Sequence, residues 1–456
     1  MLAPLIAAAL VAATPRLQID DLGPLTAAPS DLRAAPGLTC VYHTQREQEG
    51  QVAQLVRNGQ PQGWFRAAGI FEFTPDGQDW WIRARENGRP ALVVNGKFEV
   101  RDLEIMSVVT NRPPTRILGS DGDVRLEVSG KVVQRGRQMF ASVTGQGLLR
   151  AWQDTAGAWH QATNAWSASG EAMPVHFELA DGRILSRLGT QLFLNGKPIP
   201  GAEPLDEYDD VGISPSGRNW FHVRSNGDVP QVWINGRRSS GLTSDAEWLS
   251  DEAFEVSPLL RQPTLLPGQS EESWRLLRLT PAGLQPATPE PVYAMVEESY
   301  VESPDGRAFG LLAEITEGQT GVVFNGKVLK TWPTREGETV WLNELALHPR
   351  GTELAFVDPA PEGHYVMAGS RRWGPYQEVK PLRERPAVLY SPEGRHLAYF
   401  AIPPGESAYR LFVNGVATAL TLDYVVYFGE PRWEPSGELR LMAVRQGRVV
   451  RVSVRP

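Results

Sequence analysis

The sequence predicts an all-β protein built from repeated four-stranded antiparallel units, and three observations lead to this fold class. Glycine and proline account for 44 and 37 of the 456 residues, which is more than a helical bundle tolerates because both residues interrupt helices. A Pro-Gly turn motif occurs six times. An Asn-Gly motif, flanked by β-branched and aromatic residues, recurs with it in a fixed order. Short strands joined by tight corners are therefore expected over most of the chain.

The first element is an apolar segment at residues 1–15, MLAPLIAAALVAATP, without a charged side chain. Val11 and Ala13 have the spacing of the small residues before a signal-peptide cleavage site, which predicts a periplasmic or secreted protein. No basic residue precedes the apolar run, so a cytoplasmic protein is the alternative. The segment is too short to span a bilayer, and no transmembrane segment is expected elsewhere. Residues 16–36 are polar and Pro-rich, and they predict a tether to a single domain at 37–456.

The Pro-Gly motif has the composition of a tight turn. Its proline fixes φ at the second position, and its glycine tolerates positive φ at the fourth. Each copy precedes a run of apolar residues that predicts a strand. The copies are TPDG at 74–77, SPSG at 214–217, SPDG at 303–306, HPRG at 348–351, SPEG at 391–394 and EPSG at 434–437, with weaker corners at 119–122, 179–182 and 250–253.

The Asn-Gly motif predicts a second kind of corner. Asparagine followed by glycine suits a type I′ turn, in which both central residues have positive φ, and this is a strong hairpin signal. The pairs are Asn58-Gly59, Asn95-Gly96, Asn195-Gly196, Asn235-Gly236, Asn325-Gly326 and Asn414-Gly415.

Each unit is therefore predicted as a four-stranded antiparallel meander, with the Pro-Gly corner between its first two strands and the Asn-Gly corner between its last two. Late corners are spaced by 45, 43 and 43 residues, which is typical of a β-propeller with one unit per blade. A single meander cannot bury both faces, whereas blades stacked around an axis can. The spacing predicts eight blades, with seven as the alternative. Incomplete units at the two ends are expected to share one blade and close the ring.

With these motifs the repeat resembles the TolB-type, WD-like propeller repeat of bacterial envelope proteins, whose blades carry an SPDG corner followed by an apolar strand. The resemblance covers most of residues 70–454. Two departures are present: the third strand runs into Asn-Gly rather than an Asp-rich or Gly-Gly turn, and residues 1–70 have no counterpart of the α/β domain that precedes the propeller in TolB. The resemblance implies a periplasmic propeller and specifies a fold rather than an activity.

Several classes of function are excluded by composition. The formal net charge is −8 without a basic stripe, so no nucleic-acid partner is expected. A single cysteine, Cys40, excludes a multi-cysteine metal site, and the seven histidines contain no H-x-x-x-H or H-E-x-x-H pair. No G-x-S-x-G elbow is present. The acidic loop of Asp206, Glu207, Asp209 and Asp210 does not fit a calcium loop and is interpreted as a solvated turn. No catalytic residue, cofactor or metal is therefore predicted.

Aromatic residues supply the candidate binding positions. Of the 14 tryptophans, Trp80, Trp81, Trp220 and Trp233 fall in strands and are predicted to fill the wedge between blades. Other aromatic residues and two arginines fall in stretches expected to join one unit to the next, and this composition is typical of binding surfaces. These candidates are Trp332, Trp341, Arg371, Arg372, Trp373 and Tyr376.

The two kinds of corner fall on one rim of the predicted propeller, and the second-to-third strand loops fall on the other. Those loops, at 85–90, 225–230, 316–320, 358–364 and 402–408, vary in length and composition, so recognition is expected on their face. The resulting hypothesis is an exported, monomeric, non-enzymatic binding or scaffold propeller for a protein or peptide partner, such as an envelope component. The alternative is a propeller enzyme of hydrolase or lyase type with a site in the axial channel. A purely structural propeller is the third hypothesis.

Overall fold

The structure is a computed structural model in which strands make up nearly all of the regular structure. The part of the chain it describes is 15–456 without 26, 29–30, 47–51, 67–70, 75–76, 87–88, 102–104, 112–113, 121, 200–204, 206–208, 215, 225–230, 240–246, 251–255, 265–272, 281, 296–298, 334–344, 381–386 and 427–428. Within it the strands are accompanied by one short 3-10 turn, Pro36–Leu38. The all-β fold class is confirmed. Apart from Pro15, the predicted signal peptide lies outside the described residues.

In the described part of the chain the strands form eleven antiparallel sheets, numbered here in chain order. Sheet 1 contains β2 (Arg33–Ala34), β3 (Val41–Arg46), β4 (Val52–Arg57) and β5 (Gln60–Arg66); sheet 2 contains β6 (Glu72–Phe73), β7 (Trp80–Glu86), β8 (Arg89–Val94) and β9 (Lys97–Arg101). Sheet 3 contains β10 (Ile105–Asn111), β11 (Pro114–Ser120), β12 (Asp123–Val128) and β13 (Lys131–Gly136); sheet 4 contains β14 (Gln138–Thr144), β15 (Gly147–Gln153), β16 (Trp159–Ala162) and β17 (Ser167–Gly170).

The central sheets follow the same order. Sheet 5 contains β18 (Val175–Glu178), β19 (Ile184–Leu188), β20 (Gln191–Leu194) and β21 (Lys197–Pro198); sheet 6 contains β22 (Asp210–Ile213), β23 (Trp220–Arg224), β24 (Gln231–Ile234) and β25 (Arg237–Arg238). Sheet 7 contains β26 (Glu247–Ser250), β27 (Val256–Thr264), β28 (Ser273–Thr280) and β29 (Gly283–Pro286).

In sheets 8, 10 and 11 the first strand is divided into two short segments, and the fourth position of sheet 11 is filled by a strand from the N-terminal end of the chain. Sheet 8 contains β30 (Ala294–Met295), β31 (Val301–Glu302), β32 (Phe309–Thr316), β33 (Gln319–Phe324) and β34 (Lys327–Pro333); sheet 9 contains β35 (Ala346–Leu347), β36 (Leu354–Ala360), β37 (Gly363–Ala368) and β38 (Arg371–Tyr376). Sheet 10 contains β39 (Glu378–Val379), β40 (Val388–Tyr390), β41 (Leu397–Ile402), β42 (Tyr409–Val413) and β43 (Val416–Leu422); sheet 11 contains β44 (Tyr424–Val425), β45 (Arg432–Trp433), β46 (Leu439–Arg445), β47 (Arg448–Arg455) and the N-terminal β1 (Arg16–Pro24).

The Pro-Gly corners connect first to second strands, as predicted. In each, the glycine N–H donates to the carbonyl of the residue three positions earlier at 2.7–2.9 Å, and the glycine φ lies between 63° and 78°. The six pairs are Gly77 with Thr74, Gly217 with Ser214, Gly306 with Ser303, Gly351 with His348, Gly394 with Ser391 and Gly437 with Glu434.

The Asn-Gly corners connect third to fourth strands and have the predicted type I′ geometry. Their asparagines have φ of 48–51° and their glycines φ of 69–80°. Each asparagine also bonds to the first residue of the second strand of its own sheet: Oδ1 accepts the backbone N–H of that residue at 2.8–3.0 Å. The pairs are Asn58 with Val41, Asn95 with Trp80, Asn195 with Ile184, Asn235 with Trp220, Asn325 with Phe309 and Asn414 with Leu397. The two kinds of corner therefore lie at the same end of each of these sheets.

Buried apolar clusters lie between consecutive sheets. Leu55 and Phe65 of sheet 1 pack with Trp80 and Ile82 of sheet 2, and equivalent clusters join most later neighbours. Trp81 and Trp220 lie in such clusters as well, so the prediction that strand tryptophans fill the space between sheets is confirmed for Trp80, Trp81 and Trp220. Trp233 is buried against His222 of its own sheet. Stacked four-stranded meanders are the architecture of the β-propeller class.

The number of sheets corrects the predicted eight blades. The 360 residues from Gly77 to Gly437 contain nine sheet-to-sheet steps averaging 40 residues, shorter than the late spacings suggested. Sheet 4 was missed because its hairpins contain neither motif, and the weaker corner predicted at 119–122 joins the second and third strands of sheet 3 instead of its first two. The third-to-fourth strand turn of sheet 3, Ser129-Gly130, has the φ values of an Asn-Gly corner, 51° and 75°, without asparagine. With compact turns, a complete meander needs fewer residues than the late units contain.

The N-terminal segment also differs from the prediction. Residues 16–24, assigned to a tether, form β1, which pairs antiparallel with β47 from Arg16 opposite Arg455 to Pro24 opposite Arg448. Strands from both ends therefore share sheet 11, but the N-terminal partner is 16–24, while residues 33–66 make sheet 1. The turn between the first two strands of sheet 1, at Pro36–Leu38, also contains a Pro-Gly pair. Leu32, Ala34 and Val41 pack with Val426, Met442 and Val449, so sheet 11 contacts sheet 1.

Candidate functional site

A cavity of about 490 Å³ lies where sheets 1, 2 and 11 meet. Its wall comes from three distant parts of the sequence: the first strand and corner of sheet 1, the first strand of sheet 2 and the first strand of sheet 11. The lining residues are Ala34, Ala35, Pro36, Gly37, Leu38, Tyr42, Phe71, Glu72, Phe73, Glu430 and Arg432. The volume lies in the range of ligand pockets, and apolar and polar groups contribute nearly equal parts of the wall.

The corner of sheet 1 is fixed by hydrogen bonds on both sides. The Leu38 N–H donates to the Ala35 carbonyl at 3.1 Å, and the Ala35 N–H donates to the Cys40 carbonyl at 2.9 Å. Thr39 Oγ1 donates to the Gly77 carbonyl of the neighbouring corner at 2.6 Å. Gly77 has a φ of 63°, and a Cβ at this position would overlap the Pro36 carbonyl oxygen. This wall of the cavity is therefore rigid.

Aromatic rings form another part of the wall. Tyr42 and Phe73 are half-buried, with ring centroids 4.5 Å apart and planes inclined by 41°. Phe71 is buried and packs edge-on against Trp80 at 5.4 Å. Burial raises the pKa of the Tyr42 hydroxyl, so Tyr42 presents a neutral ring and hydroxyl to the cavity at neutral pH.

Charged groups complete the lining. Glu72 is an exposed residue of β6. Partial desolvation raises the pKa of its carboxyl, although the nearby Arg83 opposes this shift. The Arg432 guanidinium is held by Glu434, with both Nε and Nη2 lying 3.2 Å from Oε1. Glu430 is half-buried. The cavity thus combines aromatic rings with carboxylates, and its arginine is already paired with a carboxylate outside the lining.

The cavity lies at the corner end of the first strands. Phe73 directly precedes the Thr74 corner, and Arg432 lies two residues before the Glu434 corner. The variable loops lie at the opposite end of the sheets. Sequence reasoning missed this site because segments near residues 35, 72 and 431 only come together in the folded chain.

Most of the sequence-predicted binding residues lie on strands rather than in linkers between sheets. Arg371, Arg372, Trp373 and Tyr376 are together on β38, the last strand of sheet 9, which begins just after a third-to-fourth strand turn at Gly369. Trp332 lies on β34 in the neighbouring sheet 8. Trp341 falls outside the described residues.

Three of these aromatic side chains pack within the protein. Trp332 is buried in a cluster with Leu312 and Leu354 between sheets 8 and 9. Tyr376 is buried, and its hydroxyl is 2.8 Å from the Tyr399 hydroxyl; burial raises the pKa of Tyr376. Trp373 is half-buried against the cluster between sheets 9 and 10. Their primary contacts are therefore with neighbouring strands.

The two arginines remain accessible. The side chains of Arg371 and Arg372 are 44% and 47% exposed. Arg371 pairs with Glu353 and lies over the Trp373 ring at 5.4 Å. Arg372 lies 3.4 Å from Glu362 and over the Tyr365 ring, also at 3.4 Å. Since both guanidiniums are held against aromatic rings, they form an ordered basic pair on the last strand of sheet 9.

A buried charged cluster between sheets 5 and 6 was not predicted. Asp209, assigned to a solvated turn, has a fully buried side chain whose Oδ2 lies 3.6 Å from His222 Nε2 and 3.6 Å from Arg224 Nε. Arg187 donates to the Asp209 carbonyl at 2.6 Å. His222 stacks on Trp233 with a centroid distance of 4.5 Å. Desolvation lowers the pKa of His222, opposed by Asp209.

Two negative findings apply to the described residues. They contain no group of three or more His, Cys, Asp or Glu side chains placed to hold a metal ion. They also contain no helix with the length and apolar character of a membrane span.

The architecture and the cavity define a β-propeller-type protein with a pocket at the first strands, and its corners confirm the fold-level resemblance to the TolB-type repeat. No family model and no curated protein matches the chain.

Solved structures similar to the chain include three that share 11–14% identity with it. Dihydro-heme d1 dehydrogenase NirN has 14% identity, covering 69% of this chain and 78% of its own, at a TM-score of 0.25. TolB from Acinetobacter baumannii has 11% identity, with coverages of 70% and 79% and a TM-score of 0.24. A chain of the mitotic checkpoint complex has 11% identity, with coverages of 70% and 91% and a TM-score of 0.25. Because these TM-scores are low, the fold class is assigned from the sheets of this chain alone.

Proposed function

We propose that this protein is an exported, non-enzymatic binding propeller that recognises a protein or peptide partner. The observation that carries the proposal is the cavity of about 490 Å³ at the junction of sheets 1, 2 and 11. It is large enough for a few side chains of a bound segment, and its wall offers both apolar and polar groups to such a segment.

The rigidity of the wall supports binding as the role of the cavity. The Ala35–Leu38 turn is fixed by backbone hydrogen bonds and by the Thr39 bond to the Gly77 carbonyl. A partner that enters a preformed pocket loses less free energy to ordering the protein than one that must organise a loop. Three sheets contribute to the wall, so the pocket depends on the folded propeller.

The exposed pair Arg371 and Arg372 is proposed as a second contact point for the partner. Its guanidiniums are accessible and are ordered by Trp373 and Tyr365. The variable-loop face remains part of the same proposal, since loops on a rigid scaffold commonly supply specificity.

A substitution that fills the cavity tests this proposal. Ala35 is 1% exposed and lines the pocket, so Ala35→Leu places extra carbon atoms in the binding volume. Ala156, in an exposed turn of sheet 4, provides the matched control Ala156→Leu. Peptides are selected from a random library for binding to the purified full-length protein. These peptides should no longer bind the Ala35→Leu variant and should still bind the Ala156→Leu variant. Equal retention by both variants, with both folded by circular dichroism, would reject the cavity as the binding site.

An enzyme with a site at the first strands is the second candidate. The position of the Glu72 carboxyl in the cavity favours it. A carboxyl whose pKa is raised by desolvation in a cavity suits a general acid. In that case Glu72→Gln would lower the turnover of a bound peptide or ester far more than it weakens binding. Recovery of every selected peptide unchanged after prolonged incubation would exclude this candidate for those ligands.

Export is proposed from residues 1–15. Cleavage after Ala13 would leave β1, which begins at Arg16, available to pair with β47. Mass spectrometry of the protein from the envelope fraction should then give Thr14 as the N-terminal residue. An intact Met1 in a cytoplasmic fraction would contradict export.

A further inference from the structure

We propose that the cavity receives the side chain of a lysine or arginine from a peptide partner. This inference rests on the proposed binding function and specifies the chemistry of the group that is bound. The juxtaposition that carries it is the aromatic pair Tyr42 and Phe73 beside the Glu72 carboxylate in one rigid pocket.

The aromatic and acidic groups attract the same kind of ligand. The faces of aromatic rings carry negative partial charge and attract ammonium and guanidinium groups. A carboxylate next to the rings adds a charge-assisted hydrogen bond. Glu72 makes no hydrogen bond to another of the described residues. It interacts electrostatically with the nearby Arg83. Its oxygens are therefore available to a cationic donor.

The apolar part of the wall fits the rest of such a side chain. Ala34, Ala35 and Leu38 are buried residues that line the cavity. Lysine and arginine carry long aliphatic stems that pack along apolar surface while their charged ends contact polar groups. A carboxylate ligand would leave its charge facing aromatic rings and Glu72, which is unfavourable. The wall thus matches an apolar stem with a cationic end.

Arg432 does not reverse this preference, because its charge is already paired. Its guanidinium contacts Glu434 through both Nε and Nη2. The chain as a whole has a formal net charge of −8, which favours the approach of a basic segment.

The test compares four short peptides that differ only in the central side chain. Acetylated and amidated Ala-Lys-Ala, Ala-Arg-Ala, Ala-Gln-Ala and Ala-Glu-Ala are titrated with the full-length protein, and binding is followed from the NMR signals of each peptide. We expect the Lys and Arg peptides to bind at least 10-fold more tightly than the Gln peptide. The Glu peptide should bind most weakly. A free amine probe, butylammonium, should bind more weakly than the Lys peptide, because a peptide also contacts the rim.

Variants assign the effect to the cavity. Glu72→Gln should weaken the Lys peptide about 10-fold, as expected for the loss of a charge-assisted hydrogen bond, and leave the Gln peptide within about twofold. Tyr42→Leu should weaken the Lys peptide about threefold, in line with the loss of one cation–π contact. Glu317→Gln, on the exposed Glu317 of a sheet 8 turn, is the charge-matched control and should have no effect.

Each result separates this inference from the proposed function. Equal binding of all four peptides, abolished by Ala35→Leu and unaffected by Glu72→Gln, would overturn the cationic preference and support a neutral binding cavity. Tighter binding of the Glu peptide, or of butylammonium than of the Lys peptide, would also overturn the inference. Binding of none of the peptides, or binding unaffected by both Ala35→Leu and Glu72→Gln, would overturn both proposals.

Discussion

The side chain of Asn414 joins two corners of sheet 10: its Oδ1 accepts the backbone N–H of Leu397 at 2.9 Å. Its own backbone N–H donates to the Leu397 carbonyl at 2.8 Å. Leu397 begins the strand that follows the Pro-Gly corner, while Asn414 begins the Asn-Gly corner. Five other sheets have the same arrangement, so asparagine serves both the positive φ of the turn and the pairing of the strand that starts beside it.

Substitution of Asn414 should separate these two contributions. Asn414→Gly keeps a residue that tolerates the φ of 50°. It loses both side-chain hydrogen bonds, to the Leu397 N–H and to His396 Nδ1, which should lower the free energy of unfolding by about 1–2 kcal/mol. Asn414→Ala adds left-handed backbone strain of about 1–2 kcal/mol to that loss. Urea denaturation measures both. An alanine variant as stable as the glycine variant would show that backbone strain is not part of the asparagine preference.

The corners were predictable from sequence because their chemistry is local. A Pro-Gly or Asn-Gly pair specifies its own backbone angles, so six copies of each identify hairpins without knowledge of the fold. Sheet 4 contains neither motif, and the two ends of the chain were expected to share one blade although they form sheets 11 and 1, so the blade number was underestimated. Local chemistry identifies a corner only when the usual residues are used.

The cavity and the charged cluster were not predictable, because they depend on contacts between distant segments. Ala35, Glu72 and Arg432 carry no signal in their own neighbourhoods and meet only because sheet 11 packs against sheet 1. Asp209 belongs to an acidic stretch that is normally solvated. Its burial follows from Arg187 and Arg224 on adjacent sheets, which no local pattern identifies.

The candidate residues on sheets 8 and 9 should divide into two groups when they are truncated. Trp332 is buried between sheets, and Trp332→Ala should lower stability by about 3–5 kcal/mol because it leaves a large cavity. Arg371→Ala and Arg372→Ala remove exposed ion pairs, which typically contribute about 0–1 kcal/mol. Chemical denaturation compares the three variants. A stability loss for the arginine pair equal to that of Trp332→Ala would show that the arginines hold sheet 9 together.

The arginine variants are therefore the appropriate test of the second contact point. The double variant Arg371→Ala/Arg372→Ala should remain folded and lose partner affinity, whereas Trp332→Ala would confuse lost binding with lost structure. Lys substitutions at both positions provide the control, since they retain charge but not the planar guanidinium that stacks on Trp373 and Tyr365.

Stability should fall as the pH is lowered through the range in which histidine titrates. Desolvation lowers the pKa of His222 in the folded state, and burial has the same effect on His43. The unfolded chain, with a histidine pKa of about 6.5, therefore binds protons first as the pH falls. Stability contributed by these residues is complete above about pH 6.5 and is lost below it, by up to about 1.4 kcal/mol per pH unit for each histidine.

Thermal unfolding between about pH 7.5 and pH 5.5 checks this prediction. His222→Gln removes the titrating group between Asp209 and Trp233, so the variant should lose less of its melting temperature over this range than the native protein. Its melting temperature at the upper pH provides the reference for the structural cost of the substitution. Identical pH slopes for the two proteins would place the origin of the acid sensitivity elsewhere.

Removal of β1 should destabilise the protein mainly through lost apolar contacts. Leu17 and Ile19 pack against the cluster between sheets 10 and 11, and Leu22 packs against the cluster between sheets 11 and 1. Burial of one such side chain stabilises a protein by about 1.5–3 kcal/mol when complete, so deletion of residues 1–24 should lower stability by several kcal/mol. Deletion of residues 1–13 removes no part of β1 and serves as the control.

The ion pairs of β1 should contribute much less than these apolar contacts. Asp20 lies 2.8 Å from Arg451 and Asp21 lies 2.6 Å from Arg448, but all four side chains are at least one third exposed. Such exposed pairs are worth about 0.2–1 kcal/mol each. Asp20→Asn/Asp21→Asn should therefore melt within a few degrees of the native protein, whereas Ile19→Asn should melt well below it. The reverse order would mean that charge, rather than apolar packing, holds the N-terminal strand on sheet 11.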